Sequence, residues 1–141
     1  MARGNIKPLP GAVELLRSLG EHGFKAAIAS SAPPENIEMI TRSLGINGCF
    51  HAVVFGYEVT EGKPSPQGFL LAARKLGIEP GCCIVIEDAV AGVEAAKRAG
   101  MHCIAVTNTH PGEKLKEADI IVDTLETVSI KDLEALLNSA P

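Results

Sequence analysis

Glu87 and Asp88 stand side by side directly after the apolar run Cys82-Cys83-Ile84-Val85-Ile86. Two adjacent carboxylates at the end of an apolar strand repel each other, and they are costly unless a cation or hydrogen bonds compensate them. A hard divalent ion with oxygen ligands, typically Mg²⁺, is the natural partner. The competing use is local: one carboxylate caps the helix that starts at Ala89, because a helix N-terminus favours negative charge. Lys63 lies between Gly62, which permits a close approach, and Pro64, which stiffens the backbone. A lysine held there neutralises a phosphate or a carboxylate pair as a point charge, or else it is a solvated loop lysine. Ser30 and Ser31 end another apolar run, where hydroxyls and backbone N–H groups can cradle an anion. Serines before Pro33-Pro34 also make turns that need no ligand.

Other chemistries lack their residues. The histidines at 22, 51, 102 and 110 have no ligand spacing to each other or to cysteine, so no zinc site is expected. No GxSxG elbow is present for Ser-His-Asp catalysis. Cys49, Cys82, Cys83 and Cys103 include no CxxC pair, and three of them fall in apolar runs. They read as reduced, buried thiols, which places the chain in the cytoplasm.

The elements that must position these residues alternate between helical and strand patterns. Ala12, Leu15, Leu16 and Leu19 recur at helical spacing before Gly20 and Gly23. Phe24 to Ala29 is a short buried strand, followed by a helix from about Glu35 to Leu44 and a second strand over Ala52 to Gly56. Ser65-Pro66 is a helix-start signal for a helix through Phe69, Leu70, Ala73 and Leu76. Cys82 to Ile86 is the third strand, AVAGVEAAKRAG a small-residue helix, His102 to Val106 the fourth strand, and Asp119 to Val122 a short fifth. A last helix spans about Ile130 to Leu137. Strands alternating with helices of this length give right-handed crossovers and a mostly parallel α/β sheet, whose ligand site lies beyond the carboxyl ends of the strands. Ser30, Lys63, Glu87 and Asp88 all fall there.

Composition agrees. The 141 residues are one domain's worth, 46% hydrophobic and 21% charged, with mean hydropathy +0.19. Aromatic residues make up 4% and tryptophan is absent, so the core is built from Ala, Val, Ile and Leu. A net charge of -4 offers no footprint for nucleic acid or an anionic membrane. No apolar run approaches a membrane span, and the opening MARGNIKPLPG has no secretory h-region.

The order strand-IASS, then GKPSPQGF before a helix, then VIEDAVAGVEAAKRAGM resembles the haloacid dehalogenase (HAD) superfamily, in its β-phosphoglucomutase and phosphoglycolate-phosphatase branch. The resemblance runs from about Ile6 to Leu137. It implies a three-layer, Rossmann-like core over residues 1–141. It also implies that Ser30 and the Ser31 N–H hold the transferring phosphate, that Lys63 balances charge, and that Asp88 with Glu87 helps hold Mg²⁺. The implied activity is Mg²⁺-dependent hydrolysis of a small phosphorylated metabolite, or phosphosugar mutase chemistry.

One family feature is not in the sequence. The first motif, DxDx followed by Thr or Val, carries the nucleophile and the general acid/base on the central strand. The aspartates here are Asp88, Asp119, Asp123 and Asp132, and none forms a DxD. Asp123 and Glu126 in IIVDTLET are the nearest mimic, but that segment matches the family's ordinary C-terminal strand and loop. The chain therefore reads as a partial core that resumes after the cap domain, without the cap or the central strand. That absence leaves a one-strand gap between the Ser30 and Glu87 strands, or forces them to pair. MARGNIKPL is too polar and proline-broken to fill the gap. The expectations are no turnover by this chain alone, and self-association or a complementing N-terminal segment at the exposed edges. The alternative is a degenerate homologue that binds phosphate or Mg²⁺ without catalysis, or serves as an assembly module. A receiver-type signalling domain is excluded by order, since the first strand ends in serine and the acidic pair follows the third.

Overall fold

The computed structural model describes residues 10–107 and 111–139. His110 and the MARGNIKPL segment lie outside the described residues. In chain order the elements are α1 (Ala12–Glu21), β1 (Ala27–Ser30), α2 (Pro34–Ser43), β2 (Ala52–Phe55), α3 (Gln67–Leu76), β3 (Ile84–Glu87), α4 (Val90–Arg98), β4 (His102–Val106), β5 (Ile120–Val122) and α5 (Ile130–Leu137). The helix at Ser65-Pro66 starts one residue later than its signal suggests. Pro66 is its N-cap, and Ser65 Oγ accepts a bond from the Gln67 N–H at 3.3 Å. The third strand starts at Ile84, because Pro80–Cys82 form a short 3₁₀ turn that proline initiates. That shift leaves Cys82 exposed, against the expectation of a buried thiol, while Cys103 is buried and Cys49 and Cys83 are partly so.

Side-chain alternation along the strands sets the layers. Cys103 and Ala105 of β4 and Val85 of β3 face Phe69 and Ala73 of α3 and Val93, Ala95 and Ala96 of α4. The intervening Ile104 and Val106 face Leu15 of α1 and Leu133 and Leu136 of α5, with Ile84 and Ile86 packed on the same side. Two helical layers thus cover a parallel sheet, and β4, buried along its whole length, is its innermost strand. Every strand pairing among the described residues is parallel.

The sheet is in two pieces, β1-β2 and β3-β4-β5. Among the described residues β1 and β3 do not pair directly, which leaves the gap reading in place. Between β1 and β3 lies a slot of about 740 Å³, lined by Ala27, Ile28 and Ala29 on one side and Ile84, Val85 and Ile86 on the other. It is about five times the volume of an engineered apolar cavity of ~150 Å³ that accepts benzene. One consequence is that β1, expected to be buried, is only partly so along all four residues.

Candidate phosphate site at the strand ends

Lys63 and Glu87 meet at the carboxyl end of β3. The Lys63 ammonium donates to Glu87 Oε2 at 2.8 Å, with the Glu87 side chain 10% exposed and that of Lys63 39%. The same ammonium sits 5.1 Å from the centre of the Phe69 ring, a cation–π contact. Glu87 Oε1 accepts the backbone N–H groups of Asp88 (3.2 Å) and Ala89 (3.3 Å). Glu87 therefore neutralises a cation and fixes the two residues that lead into α4, whose N-cap Ala89 receives no side-chain cap bond. The cation is a lysine of the same chain.

Two residues missed by sequence reasoning make this possible. A Cβ placed at Gly92 would land inside the Glu87 carboxylate, so the first turn of α4 must be side-chain-free there. The signal is the glycine in AVAGVEAA, which costs a helix stability unless something needs the space. Gln67 is the other. Its Oε1 accepts from the Thr60 N–H at 3.0 Å, the Thr60 hydroxyl at 3.1 Å and the Glu61 N–H at 2.9 Å. That clamp fixes the loop that delivers Lys63, whose peptide bond to Pro64 is cis. Farther back, Lys75 bonds Glu58 at 2.6 Å and the Val53 carbonyl at 2.8 Å, tying α3 to the exit of β2. The Lys75 bond, with the Phe55 N–H, holds the Glu58 carboxyl below the usual range.

Ser30, Ser31 and Lys63 line one hollow of about 140 Å³, together with Gly56, Gly62 and Ser65. Ser30 Oγ accepts the Ala32 N–H at 3.1 Å, so the serine turn is present as well as the hollow. Gly56 lies against Ser31, where an added Cβ would come within 3.2 Å of the Ser31 Cα. The hollow is small enough for an oxyanion, and Lys63 and Glu61 both line it, the lysine already paired with Glu87.

Among the described residues no group of three or more His, Cys, Asp or Glu side chains comes together as a metal site. Glu87 is held by Lys63 and two N–H groups. The residues present do not complete a Mg²⁺ site, and no step is derived through one. The remaining aspartates have structural partners. Asp119 Oδ2 accepts from Lys97 Nζ (2.8 Å) and the Cys103 N–H (2.7 Å). Asp123 accepts from the Thr107 hydroxyl at 2.7 Å, and Asp132 from the Ser129 N–H at 2.9 Å. Asp123 follows β5, on the far side of β4 from the slot.

A family model for haloacid dehalogenase-like hydrolases matches residues 1–100. A validoxylamine A 7'-phosphate phosphatase from Streptomyces hygroscopicus subsp. limoneus is 38% identical over 118 residues, 84% of this chain and 55% of that protein. A β-phosphoglucomutase from Bacillus subtilis is 40% identical over 114 residues, 81% of this chain and 48% of that protein. The chain thus spans about half the length of these curated relatives. A solved structure of β-phosphoglucomutase from Clostridium difficile matches with a TM-score of 0.83 at 29% identity, covering 98% of this chain and 59% of that one.

Proposed function

Because the chain belongs to the haloacid dehalogenase-like hydrolases, we propose that it is the phosphate-holding part of a phosphohydrolase core. The substrate class is a small phosphorylated metabolite, and the chemistry is phosphomonoester hydrolysis or phosphosugar transfer. The observation that carries this reading is one hollow shared by Ser30, Ser31 and Lys63, with Lys63 braced by Glu87. In it the serine hydroxyls and N–H groups orient a phosphoryl group, and the Lys63 ammonium offsets its charge. Asp88 and Glu87 would help hold a Mg²⁺ only with further ligands from elsewhere. The four free thiols suit a reducing compartment, and we place the chain in the cytoplasm. Among the described residues no helix is long and apolar enough to cross a membrane.

The nucleophile is the part this reading lacks. No DxD occurs in the sequence, and Asp119, Asp123 and Asp132 are engaged in holding the fold. Purified chain with Mg²⁺ and p-nitrophenyl phosphate is therefore expected to show hydrolysis no faster than buffer. Saturable, Mg²⁺-dependent turnover would overturn that part. The engaged aspartates also favour the second reading, a module that binds phosphate without turning it over. An oxyanion that binds but is never released from an ester supports it.

A further inference from the structure

We infer that Tyr57, stacked on Phe55 at the rim of the phosphate hollow, is a ledge that selects a phosphate ester carrying a flat aromatic or heterocyclic group. The assignment rests on the phosphate-holding role proposed above, and it adds the chemical class of the group that the phosphate is attached to. Tyr57 is 76% exposed, and the next most exposed large apolar side chain among the described residues is Met39 at 53%. One exposed apolar side chain is ordinary on a protein surface. Its place and its rigidity set Tyr57 apart.

Phe55 and Gly56 line the hollow together with Ser30, Ser31 and Lys63, and Tyr57 is the next residue along the chain. The Phe55 and Tyr57 rings lie within 9° of parallel, with their centres 5.5 Å apart. Rings at that separation stack with an offset, so Phe55 covers only part of one Tyr57 face. The rest of the Tyr57 ring stays in solvent. A phosphoryl group seated at Ser30, Ser31 and Lys63 therefore leaves its ester substituent one aromatic ring away from an open π face.

The ledge is held in place on both sides of Tyr57. Glu58 Oε1 accepts the Phe55 N–H at 3.0 Å, and Lys75 bonds Glu58 Oε2 at 2.6 Å. Gly56–Glu58 form one 3₁₀ turn, and a Cβ added at Gly56 would lie 3.2 Å from the Ser31 Cα. The turn that carries Tyr57 is thus packed on the loop that carries the serines. A ring fixed in this way loses little freedom when a ligand stacks on it, which favours binding. Charge narrows the class further. Glu61 lines the hollow and Glu58 follows Tyr57, so a neutral ring suits the ledge and an anionic one does not. An aliphatic ring of the same size has no π face to stack and gains less.

The test titrates phenyl phosphate, cyclohexyl phosphate and inorganic phosphate into the ¹⁵N-labelled full chain, followed by amide chemical shifts. We expect phenyl phosphate to bind about threefold to tenfold more tightly than cyclohexyl phosphate, with shifts that extend from residues 30–32 to residues 55–58. Tyr57→Phe should keep that preference. Tyr57→Leu, which still covers Phe55 but offers no π face, should lose it. Tyr57 lies at the surface, so both variants are expected to fold. Equal affinity for the two esters would overturn the inference, as would a phenyl preference that survives Tyr57→Leu. In either case inorganic phosphate would still shift residues 30–32, and the phosphate reading would stand. If inorganic phosphate shifts nothing there, the phosphate reading fails and the ledge fails with it.

Discussion

Lys63 and Glu87 depend on each other more than either depends on solvent. With the Glu87 side chain only 10% exposed, removing the lysine leaves a shielded carboxylate with two backbone donors and no cation. Lys63→Met is expected to lose about 1–2 kcal/mol by urea titration, and Lys63→Gln less, because an amide still donates to Glu87. Gly92→Ala tests the packing behind the pair. Its methyl group displaces the Glu87 carboxylate, which costs about 1–3 kcal/mol as overpacking, where an alanine in an ordinary helix interior would stabilise. Asp119 contributes to the pH dependence, alongside Glu58. Burial pushes its carboxyl up, but the Lys97 bond and the Cys103 N–H outweigh that and hold it below the usual range. Its contribution is full above the unfolded value of about 3.9 and is lost as pH falls through the lower folded value. Asp119→Asn should therefore narrow the stability difference between pH 6 and pH 3. An unchanged difference would assign the acid limb to other groups.

Elements were more legible than the contacts between them. The alternation of apolar runs and helical periods is local, so the strands and helices fall within about three residues of where the pattern sets them. The largest offset is β1, which starts at Ala27 and not Phe24. Gly77, at φ 72°, ends α3 one residue past Leu76, the last position of its helical pattern. Ser129 N-caps α5, accepting the Asp132 N–H at 3.2 Å while Asp132 returns a bond to the Ser129 N–H. Ser129→Ala should cost about 1 kcal/mol in the same urea titration, and a neutral result would mean α5 is held by Leu133 and Leu136 alone. What the pattern could not show was long-range. Glu87 reads equally as a cap and as a charge partner until Lys63, 24 residues away, is brought within 2.8 Å. Gln67 looked like an ordinary helix residue, since its three bonds go back to a loop whose path only the fold defines. Cys82 was misplaced because a 3₁₀ turn delays β3, and short turns leave little mark on periodicity.

Across the whole molecule, the described residues form two helical layers over a sheet in two pieces. The layers bury β4 completely, and among the described residues β1 and β3 do not pair across the slot. We expect the chain alone to self-associate at micromolar concentration through these edges, and a clean monomer in sedimentation would count against that. The phosphate hollow lies to one side of this opening and is lined by β1, the Lys63 loop and α3. Its function can thus be measured whatever fills the slot. The most direct test is a titration of the ¹⁵N-labelled chain with inorganic phosphate, followed by amide chemical shifts. The account expects saturable shifts clustered at Ser30 to Ala32 and Gly62 to Ser65, lost in Lys63→Gln although the variant remains folded. Shifts centred elsewhere, or binding that survives the loss of Lys63, would contradict it.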